Sequence, residues 1–287
     1  MRVGLIGVGL IGGSLVAAWR RAGLLDGCAG FDLDRDALAA AAGLGIIDRA
    51  ADSVAGAVDG ADLVVVATPV GAMPAVFAEL AGVLSPAALV ADVGSTKGDV
   101  IAAAREALGA AFARFVPAHP IAGRERPGVT NADAGLFAGR RVVLTPEAET
   151  DPAALARVRQ LFECTGAAVE AMPAAEHDRI FAAVSHLPHL LAFALVAAIG
   201  GGDEGDRKLA YGGAGFRDFT RIAASSPVMW RDICVANRVA LGAELGAYRQ
   251  MLDRLQRAVD DGASATLQQT FELAARLRRQ WAGDGSG

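Results

Sequence analysis

The 287-residue chain is long enough for one large domain or two ordinary ones with a substantial core. A formal charge of −5, with 21% charged residues, provides no basic face for nucleic acid or an anionic membrane, so an anionic ligand must be captured locally. Three scattered cysteines, Cys28, Cys164 and Cys234, lack metal-ligand spacing and are expected as reduced packing residues, with no disulfide framework or zinc site.

Met1-Arg2 runs directly into a strand-like segment, without a signal-type apolar stretch or a small-residue cleavage site. The most apolar later stretch, 187–199, is short for a bilayer and contains Pro188 and His189, so a cytoplasmic protein is expected. From Arg2 to about Glu170, short β-branched runs alternate with Ala-rich helical stretches. Strands are predicted at 3–6, 30–32, 63–67, 89–92, 115–117, 142–145 and 168–170. Right-handed crossovers between them make a doubly wound parallel sheet.

Gly7-Val8-Gly9-Leu10-Ile11-Gly12 follows the first strand and opens a helix. There Gly7 permits a tight turn, Gly9 lets a pyrophosphate approach the backbone, and Gly12 lets helix and strand pack closely. The free N–H groups at Leu10 and Ile11 and the positive end of the helix dipole then hold phosphates. Asp32 ends the second strand about twenty residues further on, where a carboxylate binds ribose hydroxyls and repels a 2′-phosphate; the expected cofactor is NAD rather than NADP. Asp34 is read as the start of the next helix, and nearby Arg35 is a guanidinium able to accommodate a phosphate. Ala67-Thr68-Pro69-Val70 and Asp92-Val93-Gly94-Ser95-Thr96-Lys97 belong to the same sheet edge, with Thr68 and Pro69 facing the cofactor, and with Ser95 or Thr96 as an alternative helix cap.

His119, at the end of the strand after these turns and followed by Pro120, occupies a general-base position and titrates near neutral pH. After about Met172 the alternation stops. Segments 175–199 and 227–258 carry apolar residues at helical spacing, broken by glycines at 200–205 and 212–215. The expected division is 1–171 and 172–287. His186 and His189, three apart, share a helix face; with no third ligand they are read as one substrate ligand and one packed, hydrogen-bonded group, not a metal site. Arg217 and Arg221 offer guanidinium forks to a carboxylate, or pair with Asp218 or Asp232. Residues 283–287 read as a frayed tail.

Together and in this order, GVGLIGGS at 7–14, DVGSTK at 92–97, HPIAGRE at 119–125, SHLPH at 185–189, GFRDFTR at 215–221 and PVMWRD at 227–232 resemble the prephenate and arogenate dehydrogenase family. The resemblance runs from Arg2 to about Arg279. It implies an α/β protein: an N-terminal Rossmann domain followed by an all-α domain that binds substrate and makes a homodimer, with no room for a fused chorismate mutase or regulatory domain. It assigns His119 as the catalytic histidine and Ser95 as a serine hydrogen-bonding near it. His189 and Arg221 would hold the substrate's side chain and ring carboxylate, with Arg217 next in line; Glu125 would gate or touch substrate, and Trp230 would lie near the cleft. Arg124 departs from the pattern, which bears on substrate choice.

The reaction so implied is oxidative decarboxylation of prephenate by NAD, in tyrosine biosynthesis. Its rivals are arogenate or amino-prephenate oxidation, a β-hydroxy-acid dehydrogenase, which would use a lysine base, and an NAD-binding sensor, which would have no use for His119, Ser95, His189 and Arg221 together.

Overall fold

The computed structural model describes residues 1–124 and 126–283 and divides into two compact units, Met1–Arg238 and Val239–Gly287. The first unit begins β1 (Arg2–Ile6), α1 (Leu10–Arg21), β2 (Gly27–Phe31), α2 (Arg35–Gly43), β3 (Arg49–Ala50), α3 (Val54–Val58), β4 (Leu63–Val66), α4 (Met73–Leu80), β5 (Leu89–Asp92), α5 (Gly98–Leu108) and β6 (Phe115–Val116). These strands form a six-stranded parallel sheet in the order β3-β2-β1-β4-β5-β6. β4 shows why both faces are covered. Leu63 and Val65 pack into one apolar cluster with Leu5 and Leu15, whereas Val64 and Val66 pack into another with Phe77 and Phe115. Strand order reverses beside β1, which places the Gly7 turn at the switch point where ligands of such sheets bind.

The chain departs from a single parallel sheet after Val116. β7 (Ala118–Pro120), β8 (Arg141–Leu144) and β9 (Ala168–Ala171) make a second, three-stranded sheet in which β7 runs antiparallel to β8; α6 (Pro152–Glu163) connects β8 to β9. The strand expected at 115–117 therefore stops at Val116, and the second sheet begins at Ala118. Pro117 has no N–H to continue the first ladder, its carbonyl accepts from Thr145, and the next N–H, on Ala118, donates to the Asp92 side chain at 3.3 Å. β3, only two residues long, leaves no periodicity to read.

α7 (Ala174–Phe181), a π-helical turn at Ala182–His186 and α8 (Leu187–Gly200) form one helix of 27 residues, apolar and long enough by composition to cross a membrane. His177 and His186 on this helix are buried among protein side chains. The glycine breaks predicted next separate α9 (Gly205–Ala210) and α10 (Ala214–Thr220). The helix expected over 227–258 is interrupted: α11 (Pro227–Ala236) stops at Asn237, whose side chain donates to the Asp178 carbonyl at 2.8 Å. Trp230 and Ile233 of α11 share the apolar cluster of Phe77 and Phe115, so the boundary expected at 171/172 falls inside the first unit.

α12 (Arg238–Asp260) leads into the second unit and is followed by α13 (Ser264–Gly283) across a turn in which Gly262 has φ 62°. Of the cysteines, Cys28 is buried, with its thiol pushed up to about 12 by burial, and Cys234 is partly buried. Cys164 is exposed, not packed, because it ends α6 at its C-cap.

Candidate active site

The glycine turn is built for close approach. Gly7 has φ 92°, and a Cβ there would lie 2.6 Å from the Ala67 backbone; at Gly12 it would lie 2.8 Å from the Gly7 carbonyl. At Gly9 it would meet nothing within 4 Å, so this side of the turn is open. Gly9 is also the N-cap of α1 and brings no side-chain cap, and the first turn, starting at Leu10 and Ile11, has no acid. The first amides of α1 are thus left for an anion, which fits a dinucleotide diphosphate.

Asp32, half-buried at the end of β2, accepts from the Val8 amide at 2.7 Å and the Asp34 amide at 2.9 Å. It braces the glycine turn and keeps acceptor capacity for ribose hydroxyls. Asp34 caps α2 through the Asp36 and Ala37 amides. Arg35 pairs with Asp52 at 2.8 Å. Thr68 and Pro69 follow β4 on the same edge, and the buried Thr68 hydroxyl has no partner among the described residues.

Past β5 the loop folds around a fully buried ion pair. Asp92 bonds Lys97 Nζ, and its carboxylate also accepts from the Gly94 amide at 2.7 Å. Burial pushes the Asp92 carboxyl up, and the Lys97 ammonium beside it opposes this. Lys97 Nζ also donates to the Ala118 carbonyl at 2.7 Å. Both backbone groups of Ala118 are therefore held by this pair, one residue before His119. Neither Ser95 nor Thr96 caps α5; the Asp178 carboxylate does so from α7, accepting from Lys97 N–H at 2.9 Å and Gly98 N–H at 2.8 Å.

His119 lies within β7, opposite Val143. Its Nδ1 is 2.8 Å from His177 Nε2, and His177 Nδ1 is 2.8 Å from Asp178 Oδ1. Phe181 packs on both rings, at 4.8 Å from His119 and 4.5 Å from His177. Burial, then His177, then Lys97 hold the His119 pKa well below the ordinary 6.5. Further along the same helix, Asn237 Nδ2 lies 3.1 Å from His186 Nδ1, and burial lowers His186 to about 4. His189 donates from Nδ1 to the Ser185 carbonyl at 2.9 Å and stacks on Trp230, with ring centroids 3.6 Å apart and planes 17° from parallel. A cavity of about 390 Å³ is lined by His189, Arg124, Arg221, Gly123, Ile222 and Ser225. Arg124 forms an ion pair with Asp133.

A cationic cavity, a buried histidine able to act as a base and a dinucleotide turn in one chain suit proton abstraction coupled to hydride transfer. The sequence pattern described as "Prephenate dehydrogenase, nucleotide-binding domain" matches residues 15–171, and "Prephenate dehydrogenase, dimerization domain" matches 173–273. The chain belongs to the prephenate dehydrogenase family. The cyclohexadienyl dehydrogenase of Zymomonas mobilis is 33% identical over 96% of this chain and 94% of its own. The crystal structure of prephenate dehydrogenase from A. aeolicus, in complex with hydroxyphenyl propionate and NAD+, superimposes with a TM-score of 0.91 at 36% identity, covering 98% of each chain. Synechocystis arogenate dehydrogenase gives 0.75 at 31% identity, covering 99% of this chain and 98% of that one.

In this prephenate dehydrogenase family member the residues predicted for the site fall into distinct places. Gly7, Gly9, Gly12, Asp32 and Thr68 line one sheet edge, and His189 and Arg221 share the cavity, with Trp230 behind His189. Arg217, exposed on α10, is not among the cavity's lining residues, and Asp232 pairs with Arg231 at 2.7 Å. Glu125 lies outside the described residues, as do 284–287 of the predicted tail. Ser95 is half-buried on the loop before α5, and its hydroxyl makes no hydrogen bond to a described residue; the Nδ1 partner of His119 is His177.

Sequence reasoning missed His177, Asp178, Asn237 and the part played by Lys97. One signal was available for the first: the chain has only four histidines, and three of them fall within thirteen residues, at 177, 186 and 189.

Proposed function

We propose that this chain is an NAD-dependent prephenate dehydrogenase that makes 4-hydroxyphenylpyruvate and carbon dioxide from prephenate, in tyrosine biosynthesis. The observation that carries the reading is the cavity of about 390 Å³ where Arg124, Arg221 and His189 meet. Arg221 and Arg124, the latter also paired with Asp133, bring two guanidinium groups to a ligand with two carboxylates. NAD is favoured over NADP by Asp32 and by the engagement of Arg35 with Asp52.

When bound, NAD supplies a hydride acceptor. His119 Nε2 removes the proton of the ring C4 hydroxyl as hydride leaves C4. The C1 carboxylate departs as carbon dioxide, its bonding pair enters the ring, and aromatisation drives the step. The proton held by His119 returns to the phenolate oxygen, so none is gained or lost overall. Arg221 orients the acid by a carboxylate, His189 borders the same cavity, and Trp230 fixes the plane of the His189 ring.

In this reading residues 1–171 hold the cofactor and 172–287 bind substrate and dimerise in a cytoplasmic homodimer. Exposed apolar side chains of the second unit, Met251, Leu252, Phe271, Leu277 and Trp281, support the dimer. A second reading, arogenate oxidation, is favoured by one detail: neutral His189, with Nδ1–H committed to Ser185, offers an acceptor at Nε2, which suits an ammonium group. Formation of reduced cofactor from prephenate and from arogenate, each with NAD and NADP, tests both. Rapid NADH formation with prephenate is expected; turnover of arogenate alone would transfer the assignment to the second reading.

A further inference from the structure

We propose that His177 and Asp178 are positioning residues that fix the tautomer of His119, so that its Nε2 is the bare nitrogen available to take a proton. The proposal rests on His119 being the base, and the inference follows from counting donors along the Asp178–His177–His119 chain. An ionised Asp178 carboxylate only accepts, so His177 Nδ1, 2.8 Å away, carries the hydrogen. Neutral His177 then has a bare Nε2. That atom lies 2.8 Å from His119 Nδ1, which must donate to it. His119 is thereby left protonated at Nδ1 and bare at Nε2.

Asp178 is held as a carboxylate by more than His177. The Lys97 and Gly98 amides at the start of α5, at 2.9 and 2.8 Å, both point hydrogens at it, and these bonds with that of His177 keep its pKa below the usual value against its own burial. His177 is itself fully buried, and burial lowers its pKa, which keeps it neutral. Phe181 against both imidazoles prevents either ring from turning to offer its other nitrogen. When His119 takes a proton at Nε2, its Nδ1–H becomes a charge-assisted donor to His177, and the carboxylate behind stabilises the new imidazolium. No further proton transfer is required.

The test combines ring-nitrogen NMR with kinetics on the full-length protein. In protein labelled with ¹⁵N-histidine, with His119 assigned by difference from His119→Asn, the proposal expects His119 to carry hydrogen on Nδ1 and none on Nε2 at neutral pH. Wild-type protein with the hydrogen on Nε2 would overturn it. His177→Leu, which removes the acceptor, is expected to shift His119 toward the other tautomer. It should lower kcat with prephenate roughly tenfold or more while leaving the KM and NAD affinity within about twofold.

His177→Gln, whose side-chain oxygen can accept from Nδ1–H, is expected to recover most of that loss. Equal losses in the two variants, or a His177→Leu kcat within twofold of wild type, would refute the positioning role. If His177→Leu does not fold, the wild-type tautomer and the His177→Gln rate decide. Failure of the underlying reading looks different: His119→Asn would keep its turnover while the wild-type tautomer remained as described.

Discussion

Lys97 Nζ donates to the Ala118 carbonyl at 2.7 Å, so a fully buried ammonium grips the backbone next to His119. Replacing it with Met would strand Asp92 uncharged-for in the interior, at a cost of about 3–5 kcal/mol. Urea unfolding of Lys97→Met should show this loss, and adding Asp92→Leu should restore a large part of the stability but not the turnover, because Ala118 stays ungripped. A single variant as stable as wild type would mean that the pair contributes nothing to the fold.

The depressed histidines set a pH dependence of activity. His119 faces His177, Lys97 and His186 in a setting that disfavours a positive imidazole, so it stays neutral to below pH 6.5. The acidic limb of kcat/KM should accordingly fall below pH 6.5, as the rate declines when pH drops through the lowered pKa. An acidic limb centred at or above 6.5 would show that His119 is not the titrating base.

The same shifts bear on stability with the opposite emphasis. Unfolding frees His186 to bind a proton that the folded site resists, so between pH 6.5 and about 4 the unfolded chain holds more protons. Stability is therefore lost as pH falls through that window, by about 3 kcal/mol from His186 alone. Urea midpoints at pH 7 and pH 4.5 should separate clearly for wild type and less for His186→Asn; equal separations would assign the acid sensitivity to other groups.

Asp32 both braces the Val8 amide and offers the acceptors that ribose needs. Asp32→Ala should weaken NAD on the order of tenfold and narrow the preference over NADP, because the repulsion of a 2′-phosphate goes with the carboxylate. Fluorescence titration with the two reduced cofactors measures both affinities. An unchanged ratio between them would put cofactor selection elsewhere.

Arg221 lines the cavity with His189, and Trp230 backs His189. Arg221→Ala should raise the KM for prephenate more than it lowers kcat, since a carboxylate contact is lost in the ground state as well as the transition state. Trp230→Leu removes the plane against which His189 lies and should act in the same direction, more weakly. Steady-state kinetics in which Arg221→Ala leaves the KM alone would move the carboxylate contact to another cation.

What could be read in advance was local. The glycine turn, Asp34 as the start of α2 and the helix ending at Gly200 each depend on residues a few positions apart, and all appear in the structure. The passage from β6 to β7 could not be read, because its partner β8 lies some twenty residues further on and two- or three-residue strands carry no period. His177 was hidden by helix geometry. On a regular α-helix the twelve positions to His189 end about 120° out of phase, so the two seem to belong to different faces. The π-turn, in which Leu187 N–H reaches back to Ala182 O, absorbs one residue and cuts that offset to about 20°.

That turn is one residue accommodated in an otherwise regular helix. Removing one residue there, such as Val184, whose side chain is 66% exposed, would let the segment relax to ordinary α-helical bonding. The shortened protein would have the more regular helix, with eleven ordinary α-helical steps between His177 and His189 and the same offset of about 20°, so everything from His186 onward would keep its present aim. A designer seeking stability has there a deletion that leaves the two ends of the helix in phase.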